Sequence, residues 1–261
     1  MNAKTRAAPG ASDACSAPTG AERRRGTVEG DLCTLFLCDS SSLREHISFL
    51  EREKTAMKIL KEEDYIVSSW SGGKTTEIQI RPEGAKYADR DFLWRLSSAS
   101  VDLLESDFTL LPDYDRLITP LEGSMQLEHF KEDAEGGQKS RTEPVQLAPF
   151  EIHAFDGADS THSKGKCTDF NLMLRKGRCK GTLTPILYDP DRNMTEEYTP
   201  EPGTEALLVY CVRGSTVMMV SGSLVQLVAR ETLLLEKEEV SALKIVLSEG
   251  SAVIAAAISS L

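Results

Sequence analysis

From Lys58 onward the sequence is a succession of short period-two runs broken by turn residues, and no other feature constrains the fold as much. In an extended strand successive side chains point to opposite faces, so alternation marks a half-buried strand. KTTEIQIRP (74–82) sets Thr76, Ile78 and Ile80 against Glu77 and Gln79, and Pro82 ends it. FLWRLSSASVDLL sets Trp94 and Leu96 against Arg95 and Ser97. DRLITPLEGSMQLEHF (115–130) reads as strand, Gly123 turn, strand, and VQLAPFEIHAFDG (145–157), DFNLMLRKG (169–177) and GTLTPILYD (181–189) are further strands. ADSTHSKGKC (158–167) and the acidic PDRNMTEEYTPEPGTE (190–205) read as loops. Helical periodicity is weak after Met57, so the chain is all-β.

The pattern repeats. RLITPLEGSMQLEHF and the later VQL run have an echo in ALLVYCVRGSTVMMV and its own VQL: Gly123 and Gly214 fall at equivalent turns, and Val145-Gln146-Leu147 matches Val225-Gln226-Leu227. Two jelly-roll-like halves, about 57–180 and 181–261, account for this. Residues 1–56 differ. Positions 1–30 are small, Pro/Gly-rich and arginine-bearing, as in a disordered leader. LCTLFLC (32–38) is an isolated apolar run, and SSLREHISFLEREKTAM (41–57) has the spacing of an amphipathic helix, with Leu43, Ile47 and Leu50 on one face. Met57, at the head of the strand pattern, is an alternative start of the native domain.

Charge narrows the partners. The formal net charge is −11, and because residues 1–56 carry as many Lys and Arg as Asp and Glu, residues 57–261 carry all of it. An acidic body repels phosphates, which argues against nucleic acid and anionic membrane, though local arginines can still hold a small anion. No run is long and apolar enough to span a bilayer as a helix. The six cysteines form no CxxC pair and read as reduced thiols of a cytosolic protein.

Several chemistries fail on spacing. Gly72-Gly73-Lys74-Thr75 looks like the end of a P-loop, but the required earlier glycine is Ser68 and a strand follows where a helix is needed. The glycines fit a tight turn or close backbone approach instead. The four histidines, His46, His129, His153 and His162, include no H-x-H or HxxxH pair, so no metal or other cofactor is expected. There is no GxSxG, and no cysteine stands in a recognisable nucleophilic site.

What remains is Asp91–Arg116, where Arg95 and Arg116 sit among apolar residues. A planar guanidinium on a β framework matches the two oxygens of a carboxylate. Asp113 and Asp115 could instead neutralise these arginines. Asp169 and Asn171, two apart on one strand face, are polar residues that need partners if buried, and the arginines are suitable. Trp70 could wall a pocket there.

SSWSGGKTTEI, FLWRLSSASV, DFTLLPDYDRLITPLEG, PFEIHAFDG and GKCTDFNLML occur in order between Ser68 and Leu174. Together they resemble the HutD/Ves family, in its W-S-G-G variant. The match is strong from Met57 to about Gly177, extends to Leu261 in strand pattern, and has no counterpart in residues 1–56. The positions carrying it are Trp70, Gly72, Gly73, Thr76, Arg95, Ser97, Phe108, Asp115, Arg116, Asp169 and Asn171. Asp113-Tyr114 departs from the family's usual glycine and puts the shape of that turn in question. The resemblance implies an RmlC-like jelly-roll bicupin without a metal centre, cytoplasmic and associated with histidine utilisation; other members carry an environmental-stress label. The expectation is a non-enzymatic protein that binds a small carboxylate metabolite through Trp70, Arg95, Ser97, Asp115, Arg116, Asp169 and Asn171. The competing classes are a metal-independent isomerase or hydrolase with Asp115 or Asp169 as general base, and a homodimeric interaction module.

Overall fold

The alternating runs pair into four antiparallel sheets in the computed structural model, which describes residues 57–132, 139–191 and 195–261. The leader and helix expected in residues 1–56 lie outside the described residues. In chain order the strands are β1 (Met57–Leu60), β2 (Ile66–Trp70), β3 (Gly73–Arg81), β4 (Trp94–Val101), β5 (Glu105–Asp107), β6 (Tyr114–Gly123), β7 (Met125–Glu132), β8 (Lys139–Arg141), β9 (Val145–Leu147) and β10 (His153–Asp156). They continue as β11 (Ser160–Lys164), β12 (Cys167–Arg175), β13 (Cys179–Leu187), β14 (Thr195–Tyr198), β15 (Ala206–Arg213), β16 (Ser215–Val220), β17 (Ser223–Val228), β18 (Thr232–Glu236), β19 (Leu243–Leu247) and β20 (Ala252–Ser260). Only short 3₁₀ turns interrupt them, and among the described residues no helix is long and apolar enough to cross a membrane.

The sequence echo has a topological counterpart. The first half pairs a sheet containing β10-β6-β12-β4 with one containing β5-β11-β7, and the second pairs β18-β15-β20-β13 with β14-β19-β16-β17. Each pair is a jelly-roll sandwich, which makes the molecule an all-β bicupin. Gly123 and Gly214 stand at the equivalent turns with φ of 75° and 72°, a region that favours glycine. β1 departs from the sequence order: it adds to the second half's sheet, pairing with β18.

Two expected loops contain strands. Ser160–Lys164 is β11, between β7 and β5, and Thr195–Tyr198 is β14, an edge strand on β19. β11 hid its alternation because the residues it buries, Thr161 and Ser163, are themselves polar, and β14 because it is a largely polar edge strand.

The large sheets of the two halves pack back to back. Ile78, Trp94, Leu96, Phe170, Leu172 and Leu174 of one meet Leu208, Leu234, Ile254 and Ala256 of the other. Full burial of a side chain such as Phe170 or Leu172 contributes about 1.5–3 kcal/mol, so this seam holds the halves together. The second sandwich is filled by Leu207, Val209, Met218, Leu233, Val253 and Ala255. The first holds two apolar clusters, one of Val101, Ile118, Met125, Leu127, Leu147 and Phe155 and one of Ile80, Phe92, Leu111, Tyr114 and Met173, together with a cavity lined by polar residues.

Gly73 shows how tightly the strands approach. A Cβ there would run into the carbonyl of Ser100 on the neighbouring strand. Gly73→Ala is therefore expected to cost roughly 1–3 kcal/mol, read as a lower urea midpoint with an unchanged slope. The turn reading of Gly72-Gly73 holds: Ser71 and Gly72 join β2 to β3.

Candidate functional site

Strand alternation brings the polar residues of the first half together. On β4, Arg95, Ser97 and Ala99 face the sandwich interior, while Trp94, Leu96 and Ser98 face the seam. On β12, Asp169, Asn171 and Met173 face inward beside them, because Asn171 pairs with Ser97 and Met173 with both Arg95 and Arg116. With Arg116 from β6 they line a cavity of about 320 Å³, closed by Phe108, Tyr87 and Trp70. Trp70 is 40 % exposed, as suits a residue at the mouth. Asp115 is the exception among the predicted site residues: it is exposed and lies on the opposite face of β6 from Arg116, so it does not line the cavity. Asp113 is exposed as well, and neither aspartate neutralises an arginine of the site.

The two arginines have different roles. Arg95 is 4 % exposed and donates from Nε to Glu77 Oε2 at 2.6 Å and from Nη1 to Ser97 Oγ at 3.0 Å. Its guanidinium also lies over the Tyr87 ring, 4.3 Å from the centroid. This is a buried, satisfied ion pair. Glu77 is the residue the sequence hid, since simple alternation places it with Gln79 on the solvent side. A bulge between Glu77 and Gln79 shifts the register, leaving Glu77 opposite Ser97 and Ile80 opposite Arg95. Ile78 and Ile80, expected on one face, therefore join different clusters.

Arg116 is also buried, but no ion pair reaches it among the described residues. Its guanidinium lies 4.8 Å from the Phe108 centroid and 5.0 Å from that of Phe155. It donates one long hydrogen bond, 3.5 Å, to the Thr109 carbonyl, and its Nε has no partner. Burial lowers its pKa to about 10, which leaves it charged at neutral pH. Asn171 Oδ1 is likewise buried without a partner. Such groups cost free energy until something pairs with them.

Asp169 answers Arg116 at longer range. Burial raises its pKa to about 7, against the pull of Arg116, a hydrogen bond from the Ala99 N–H and the pull of Arg95. Between the ordinary carboxylate value and about 7 the unfolded chain has released this proton while the native state keeps it. Asp169 therefore favours the native state at low pH, and that contribution is lost as pH rises towards 7, by at most about 1.4 kcal/mol per pH unit. Relative to wild type, Asp169→Asn should gain stability as pH rises from 5 to 7 and show a constant difference above 8. Thermal melts across that range check it.

A second polar cluster adjoins the cavity. His129 on β7 and His153 on β10 meet with their Nε2 atoms 2.9 Å apart. Thr161 donates to the Asp159 carbonyl, so it accepts from His129 Nδ1, and His153 must then donate to His129 Nε2. Burial lowers both pKa values, and the neighbouring His153 lowers that of His129 further. The separation of 24 positions between the two histidines hid this pair from any spacing rule, and only the cross-sheet fold creates it.

Two jelly-roll sandwiches in tandem, one with an apolar interior and one holding an arginine-lined cavity, define a bicupin. The HutD family model matches residues 62–255, and the chain belongs to that family. A conserved protein of unknown function from Pseudomonas aeruginosa is similar at 24% identity and a TM-score of 0.63, covering 78% of this chain and all of its own. HutD from Pseudomonas fluorescens is similar at 19% identity and a TM-score of 0.59, covering 79% of this chain and 100% of that one. A nickel(II)-bound bacterial pirin from Escherichia coli, at 11% identity and a TM-score of 0.51, covers 77% and 98%. These likenesses establish the fold alone. No curated protein sequence matches the chain.

Proposed function

We propose that this protein binds a small carboxylate metabolite, without catalysing its turnover, in a role linked to histidine utilisation. The observation that carries the reading is Arg116: a buried, charged guanidinium lining the cavity, with no ion pair among the described residues and an unpartnered Nε. Arg95, already paired with Glu77, would shape the pocket and lend positive field rather than grip the ligand. Asn171 Oδ1 would accept a hydrogen bond from the ligand, and Trp70 would cover it. The link to histidine utilisation rests on family membership. A ligand that binds only the native state raises stability by mass action. Formate, formylglutamate, urocanate and glutamate, screened by thermal shift, should include at least one that raises Tm in a concentration-dependent way. No shift with any carboxylate at millimolar concentration would remove this reading.

One observation favours a metal-independent enzyme as the alternative. Asp169 has a pKa of about 7 and lines the same cavity, so it can both accept and donate a proton at neutral pH. Turnover of one of these acids, abolished in Asp169→Asn, would establish that class instead.

A further inference from the structure

β2 is the edge strand of the six-stranded sheet among the described residues, and all five of its residues are exposed. Natural edges are usually blunted by charge, proline or a bulge, because their unpaired N–H and C=O groups recruit other strands. The sequence Ile66-Val67-Ser68-Ser69-Trp70 has none of these, and Ile66 and Val67 are 65% and 58% exposed. β2 and β3 are joined by the two-residue turn Ser71-Gly72, with Trp70 opposite Gly73. In such a hairpin the flanking pair is hydrogen-bonded, so Ile66, Ser68 and Trp70 bond to β3 while Val67 and Ser69 direct their N–H and C=O groups outward.

We propose that β2 is a homodimer seam, in which two copies pair their β2 strands antiparallel about a two-fold axis at Ser68. This register sets Val67 opposite the partner's Ser69, and Ser69 opposite the partner's Val67, for about four backbone hydrogen bonds. It sets Ile66 opposite the partner's Trp70, in the closely spaced kind of pair. Trp70 and Ser68 line the first-half cavity, so each copy would contribute Ile66 to the outer wall of the other's site.

Charge selects a second copy as the occupant. The turn before β2 is Glu62-Glu63-Asp64; Glu62 pairs with Arg230 of its own chain, and antiparallel pairing lays Glu63 and Asp64 beside the partner's Ser71-Gly72 turn, which Lys74 flanks. Lys74 is exposed and has no ion pair of its own among the described residues. A parallel pairing would set the acidic turns against each other. The two-fold arrangement also closes on itself, so the neutral edge is consumed and no filament grows.

Sedimentation velocity on the full chain over the micromolar range should give twice the chain mass, falling to the monomer on dilution. Trp94 is buried, so a concentration-dependent blue shift in tryptophan emission reports Trp70. Ser69→Pro removes an outward N–H without taking a bond from β3, and Ile66→Lys places a charge against the partner's Trp70. Each should raise the dimer dissociation constant at least tenfold and abolish the blue shift, with a Tm close to wild type. A monomer at all concentrations, or a dimer undisturbed by both folded variants, would overturn the proposal. So would exchange-protected Val67 and Ser69 amides in a monomer, which would show residues 1–56 covering the edge.

Discussion

Glu77→Leu is expected to lower the stability of the native state by about 3–5 kcal/mol, because it strands Arg95 as a buried cation without its counter-ion. In a domain of this size that is a fall in Tm of roughly 10 °C. The pair is short, at 2.6 Å between Arg95 Nε and Glu77 Oε2, and both side chains are almost fully buried. Arg95→Met should cost a similar amount, since Glu77 would then be the uncompensated charge. The double variant Glu77→Leu with Arg95→Met should recover most of the loss, because removing both charges also removes both desolvation costs. Chemical denaturation of the four proteins measures the coupling. Equal losses in the singles with no recovery in the double would mean that Arg95 has another counter-charge.

Arg116→Met should behave in the opposite way. No ion pair is lost, because Arg116 has none among the described residues, and its lowered pKa reflects the burial of its charge. Methionine keeps the contacts with Phe108 and Phe155 and leaves no unpaired donor. The unliganded variant is therefore expected to melt at or above the wild-type temperature. Its affinity for the carboxylate should nevertheless fall by two orders of magnitude or more, since hydrogen bonds to a charged group contribute about 1.5–3 kcal/mol each and a guanidinium supplies two. The two arginines differ: Arg95 is held in a buried ion pair, whereas Arg116 lines the cavity with no ion pair among the described residues.

Much of this architecture was legible in the sequence. Period-two alternation identified the principal strands, and the Gly123 and Gly214 echo marked the duplication. WRLS correctly placed Arg95 and Ser97 on one face and Trp94 and Leu96 on the other. The pairing of arginines with carboxylates was not legible, because alternation assumes an unbroken ladder and the bulge at Glu77–Gln79 breaks it. Asp115 was the reverse case: adjacent to Arg116 in sequence, it was put on the other face of the sheet by the same period-two rule that recommended its neighbour. β11 and β14 escaped detection because neither shows apolar alternation: β11 buries Thr161 and Ser163, and β14 is a largely polar edge strand. The His129–His153 bond is a cross-sheet contact with no local signature.

The most direct test is calorimetric titration of wild type and Arg116→Met, in parallel, with the carboxylate that gives the largest thermal shift. Saturable binding to the wild type, none to a variant that melts at or above the wild-type temperature, is the predicted result. Equal affinity in the two proteins would contradict the assignment of Arg116 as the anchor.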